Sequence, residues 1–122
     1  MPSPKLHDAH IQSVVQITTP RELRAELPHT PVTSRTVMQG REAVERILDR
    51  EDPRLLAVVG PCSIHDLAAA ADYARRLASL AAELADSLLL IMRVYFEKPR
   101  TSVGWKGLIN DPYLNDTFRI DE

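Results

Sequence analysis

RLLAVVGPCSIHD, residues 54–66, decides the fold. Its first half is a continuous apolar run, partly β-branched, and Gly60-Pro61 ends it. Runs of that kind suit strands buried on both faces, the habit of parallel sheets. DLAAAADYARRLASLAAELAD, residues 66–86, comes next. Asp66 stands where an N-cap is needed, and Leu67, Ala70, Tyr73, Ala74, Leu77, Leu80, Ala81 and Leu84 recur as one apolar stripe at helical spacing. A second apolar run, SLLLIMRVYF at 87–96, follows at once. Strand, helix, strand is a βαβ unit, and its handedness and burial rules lead to an α/β sheet or barrel.

Upstream of this unit the chain changes character. TTPRELRAELP, residues 18–28, is a short helix: Thr19 caps it, Pro20 takes the first helical position, Glu22 completes a capping box and Pro28 stops it. HTPVTS, residues 29–34, reads as a loop. SRTVMQGREAVERILDRED, residues 34–52, reads as a second helix carrying Val37, Val44, Ile47 and Leu48 at roughly helical spacing, weakened by Gly40. Residues 1 to about 17 read as an extended or poorly ordered arm. Two units result: a helical arm over 1–52 and an α/β domain beginning at 53.

The totals narrow the function. Fifteen Lys and Arg against seventeen Asp and Glu leave a net charge of -2, which disfavours nucleic acid or a membrane surface as partner, since both call for a basic excess. One cysteine in 122 residues excludes an intrachain disulfide. The first thirty residues hold no apolar core of signal-peptide length, and SLLLIM, residues 87–92, is too short for a bilayer. A cytoplasmic, soluble protein is expected.

In parallel α/β folds, ligands collect at the carboxyl ends of the strands. GPCSIHD and EKPRTSVGWKG, residues 60–66 and 97–107, hold those positions and should share one rim. Arg93, inside the second run, is either half of a structural ion pair or a cation awaiting an anionic ligand, because an unpaired buried charge is costly. Arg93 and Lys98 are five residues apart, so one strand would send them to opposite faces unless it ends or bends between them. Lys98, Arg100 and Lys106 are a solvated loop on the plain reading. Interleaved with Thr101, Ser102 and Gly104, they also make a reasonable phosphate cradle. Trp105 reads as packing. Cys62 reads as a small buried residue, a metal ligand or a nucleophile favoured by the adjacent helix start. His65 gives it a C-x-x-H spacing, too few donors for a tight metal site alone. His7, His10 and His29 read as surface residues.

With these residues in view, the sequence resembles type I 3-deoxy-arabino-heptulosonate 7-phosphate (DAHP) synthases. GPCSIHD together with MRVYFEKPRT-x-VGWKGLINDP carries the resemblance, extended by TPRELRAELP, DYARRLASLAAEL and FRI. Ser102 stands where Thr is common, and Leu67 where Pro often opens the helix. The resemblance implies a (β/α)₈ TIM barrel behind a helical extension used in subunit contacts and often in feedback control, and a homo-oligomer. It implies condensation of phosphoenolpyruvate with erythrose 4-phosphate, the entry step to the shikimate pathway and aromatic amino acids. By motif position, Cys62 would bind a divalent metal such as Mn²⁺, Fe²⁺, Co²⁺ or Zn²⁺. Arg93 and Lys98 would act catalytically by holding phosphoenolpyruvate, and Lys98, Pro99, Arg100 and Thr101 would line the erythrose 4-phosphate site.

A full barrel takes about 250 residues, and about 70 follow position 52. The barrel is therefore expected to be incomplete, with the chain representing the first third of such an enzyme, inactive alone. Two other readings are a non-catalytic short protein docking on full-length subunits, and a different sugar-phosphate aldolase or thiol enzyme on the same fold.

Overall fold

The computed structural model describes residues 11, 14–101 and 103–120. Helix α1, Pro20–Glu26, opens as its sequence requires: Thr19 Oγ1 accepts from the Glu22 amide, and the Glu22 carboxylate accepts from the Thr19 amide at 2.8 Å. Helix α2, Pro31–Leu48, starts inside the stretch expected to be a loop. Thr30 and Thr33 make a reciprocal capping box around Pro31, with Thr33 doing the work usually given to Glu or Gln, so HTPVTS is a helix start. The extended arm expected over residues 1–17 lies largely outside the described residues, as do His7 and His10; Val14, Val15 and Ile17 are exposed. His29 is exposed as expected.

Two parallel strands follow, β1 at Leu55–Val59 and β2 at Leu88–Met92, paired in register from Leu55 against Leu88 to Val59 against Met92. Helix α3, Leu67–Glu83, connects them, its first turn capped by Asp66 Oδ1 accepting from the Ala69 amide at 2.8 Å. The βαβ unit read from the sequence is present. Its burial is thinner than the apolar runs suggested: Leu55 is 70% exposed and Val58 58%, because a two-stranded sheet meets α2 and α3 over only part of its surface. The α3 stripe narrows likewise to Ala70, Ala74, Leu77, Ala81 and Leu84, leaving Leu67, Tyr73 and Leu80 exposed. Ile64, in the loop after β1, is the buried apolar side chain among the described residues. None of the described helices is long and apolar enough to cross a membrane.

An ion pair ties the entries of both strands. Asp52, almost fully buried, accepts from Arg54 Nη2 at 2.6 Å and from Nε, while Arg54 Nη1 donates to the Ala85 carbonyl just before β2. Hydrogen bonds from the Arg54 side chain and then its amide hold the Asp52 carboxyl down to about 2. Because the folded value is depressed, the pair's contribution is complete above the ordinary carboxylate range and is lost as pH falls through about 2. Asp52→Asn should therefore lower the melting temperature at pH 7 and leave it nearly unchanged near pH 2; an equal loss at both pH values would contradict the pair's role.

Gly40 sits mid-helix in α2, and a Cβ there would meet nothing within 4 Å. Gly40→Ala is expected to raise unfolding free energy by about 1 kcal/mol in thermal or denaturant melts, the propensity difference with no steric offset.

A cationic cavity at the strand ends

The two strand ends are held together by backbone. Arg93 N donates to Val59 O at 2.6 Å, and Ile64 N donates to Tyr95 O at 2.9 Å, which lays the 60–66 loop along the 93–97 segment. Gly60 permits this approach. At φ +135° it adopts a conformation side chains avoid, and a Cβ there would stand 2.7 Å from the Arg93 carbonyl oxygen. The shared rim expected from the sequence is present.

That rim carries an open cavity of about 350 Å³ lined by Cys62, Arg93, Tyr95, Lys98, Pro99 and Arg100. Regular β2 ends at Met92, immediately before Arg93, so the strand-parity obstacle disappears and Arg93 and Lys98 reach the same space. Arg93 is exposed rather than buried in the strand, and no carboxylate among the described residues pairs with Arg93, Lys98 or Arg100. The structural ion pair considered for Arg93 is thus not found among those residues. Three cations around one concavity, with no acidic partner among the described residues, form an anion-receptive surface.

Tyr95 is the lining residue that sequence reasoning missed. Arg93 Cζ lies 5.8 Å and Lys98 Nζ 6.0 Å from its ring centroid, so the ring's π face attracts both cations. Its spacing two residues beyond Arg93 was the available signal, since i and i+2 share a face in extended chain.

Lys98 Nζ donates to Cys62 Sγ. That hydrogen bond, followed by the positive charges of Lys98, Arg93 and Arg100, lowers the Cys62 thiol pKa below its ordinary value at an exposed position. Cys62 is therefore not the small buried residue of the plain reading. His65 lines a separate cavity with Pro61, Asp66 and Tyr73, so the C-x-x-H pair does not converge. No group of three His, Cys, Asp or Glu donors that could hold a metal occurs among the described residues. A soft thiolate suits Fe²⁺, Co²⁺ or Zn²⁺ as one ligand, and this stretch of chain offers that one.

The loop beyond β2 is closed by Lys98 N donating to Lys106 O at 2.6 Å and Ile109 N to Phe96 O at 3.2 Å. Trp105 is half-buried, with Nε1 donating to the Asp111 carbonyl at 2.7 Å. The loop does not gather every expected cation. The chain turns at Gly104, φ +107°, and Lys106 then lines a different cavity with Asp111 and Asp116. Thr101 does not line the cationic cavity. Ser102 lies outside the described residues.

A parallel strand pair with clustered cations and a cysteine at its carboxyl ends defines an α/β unit built to receive anions. The sequence profile described as the DAHP synthetase I family matches residues 29–122. The chain belongs to that family. It is 49% identical over 116 residues to the Tyr-sensitive phospho-2-dehydro-3-deoxyheptonate aldolase of Escherichia coli K12, covering 95% of this chain and 33% of that protein. It is 51% identical over 115 residues to the phospho-2-dehydro-3-deoxyheptonate aldolase of Haemophilus influenzae, covering 94% and 32%. The solved phospho-2-dehydro-3-deoxyheptonate aldolase of Francisella tularensis superposes with a TM-score of 0.84 at 41% identity, over 91% of this chain and 33% of that one. The chain spans about a third of the length of these relatives.

Proposed function

We propose that this chain carries the substrate-gathering rim of a DAHP synthase, and that its fold is the opening βα units of a (β/α)₈ barrel behind a helical extension over residues 1–52 that makes subunit contacts in a homo-oligomer. The reaction is an aldol-type condensation: phosphoenolpyruvate, erythrose 4-phosphate and water give DAHP and inorganic phosphate. The observation that carries this reading is the convergence of Arg93, Lys98 and Arg100 beside Cys62, with no acid among the described residues pairing any of them, in a member of this family.

Two phosphorylated substrates repel one another, and bringing them together is the first barrier to the reaction. A fixed cluster of cations offsets that repulsion and holds the reacting carbons in one geometry, so positioning supplies much of the rate. Arg93, with a planar fork and no carboxylate on it, suits the phosphoenolpyruvate phosphate or carboxylate. Lys98 bonds Cys62 Sγ and lines the cavity with Arg100; its remaining N–H donors can reach phosphoenolpyruvate while Pro99, Arg100 and Thr101 take the phosphosugar. Cys62 would supply one thiolate to a divalent metal, the other ligands coming from outside the described residues. When bound, such a metal acts as a Lewis acid on the aldehyde.

The test is the full-length gene product with both substrates. Inorganic phosphate release that requires phosphoenolpyruvate and erythrose 4-phosphate together is expected. A folded protein that releases none, or releases it from phosphoenolpyruvate alone, would overturn the reading.

A further inference from the structure

Arg100 does not extend freely into the cavity that it lines. Its Nε donates to the Trp105 carbonyl at 2.9 Å, so the side chain doubles back over its own loop. The path crosses Gly104. A Cβ on Gly104 would stand 3.3 Å from Arg100 Cδ, 3.5 Å from Nε and 3.6 Å from Cζ, tighter at its nearest point than ordinary contact. Gly104 also holds φ +107°, which turns the chain so that the Trp105 carbonyl faces back toward Arg100. Trp105 is itself fixed through its indole N–H on the carbonyl of Asp111, a residue only 1% exposed. Neither Gly104 nor Trp105 lines the cavity of Arg93, Lys98 and Arg100.

A guanidinium offers two bidentate edges: Nε with one terminal nitrogen, or the two terminal nitrogens end-on. With Nε engaged by Trp105, the end-on pair remains, and no described residue accepts from it. We propose that Gly104 is a positioning residue for the phosphosugar: lacking a Cβ, it lets Arg100 lie back on the Trp105 carbonyl and present both terminal nitrogens end-on to the sugar phosphate. Gly104 acts through Arg100 and touches no substrate. The inference rests on the reading above, which gives Arg100 to erythrose 4-phosphate, and adds the orientation in which the guanidinium works and the residue that sets it.

The experiment is a double-mutant cycle in the full-length gene product with Gly104→Ala, Arg100→Lys and the pair, measuring KM for each substrate separately. Lysine has no Nε donor for Trp105 and no fork, so the Gly104 contact has nothing left to orient. Gly104→Ala alone should raise KM for erythrose 4-phosphate about tenfold, the loss of one well-aimed charge-assisted hydrogen bond, while KM for phosphoenolpyruvate stays within about twofold. In the Arg100→Lys background, Gly104→Ala should add almost nothing. A purely structural glycine would raise both KM values or add its full effect on top of Arg100→Lys, and either result overturns the proposal. So does an unchanged KM for erythrose 4-phosphate in Gly104→Ala. Should Gly104→Ala fail to fold, Trp105→Phe serves in its place: it keeps the ring packing, removes the indole bond that fixes the Trp105 carbonyl, and must show the same selective rise and the same cancellation. A wild-type protein without dual-substrate phosphate release defeats the underlying reading; an active wild type with no selective KM change defeats this inference alone.

Discussion

Lys98→Ala in the full-length gene product is expected to lower kcat/KM at least about a hundredfold, the scale of removing one preorganised charged donor from a site where anionic charge is handled. Lys98 has the most connections of the three cations: it contacts Cys62 Sγ, faces the Tyr95 ring and lines the cavity together with Arg93 and Arg100. Its loss should affect both substrates, because the ammonium shares one cavity with Arg93 and Arg100, assigned one to each. A second consequence separates this from simple misfolding. Without the Lys98 hydrogen bond, the largest influence lowering the Cys62 thiol pKa is gone, so alkylation of Cys62 at neutral pH should slow. Near wild-type turnover, or an unchanged alkylation rate, would remove Lys98 from the site.

Arg93→Ala is the other large loss, again on the order of a hundredfold or more, and it should fall mainly on phosphoenolpyruvate. Arg93→Lys makes the sharper comparison. Lysine keeps the charge and gives up the fork, so recovery of only a small part of the loss would mark bidentate recognition, whereas full recovery would mean that charge alone is used. Steady-state kinetics with phosphoenolpyruvate varied at saturating erythrose 4-phosphate reads the difference directly.

Much of this site is legible in the sequence, and the parts that are not have physical reasons. The strands announced themselves because a run such as LLAVV has no polar face to offer solvent, and Gly60-Pro61 cannot continue it. The α1 capping box was legible because Thr19 and Glu22 are the usual pair. The α2 start was hidden because Thr33 replaced the usual acid or amide. Arg93 and Lys98 posed a parity problem that only the end of β2 at Met92 resolves; pairing, not composition, ends a strand there. Lys106 was placed with Lys98 and Arg100 because spacing along a loop carries no information about a turn, and the turn at Gly104 sends it elsewhere. Tyr95 was passed over as one more apolar residue in an apolar run, although its ring lies within 6.0 Å of two cationic groups.

The central claim is that the sulfur of Cys62 and the phosphate-holding cations share one cavity, and the alkylation rate of Cys62 reads it most directly. The full-length gene product is treated with iodoacetamide at neutral pH, with chelator present so that no metal shields the sulfur, and the Cys62 peptide is followed by mass spectrometry. Saturating phosphoenolpyruvate is expected to slow that alkylation roughly tenfold or more, by occupying the cavity and drawing Lys98 and Arg93 to its own charges, and Arg93→Ala should abolish the protection. A Cys62 alkylation rate indifferent to phosphoenolpyruvate in the wild-type protein would contradict the account.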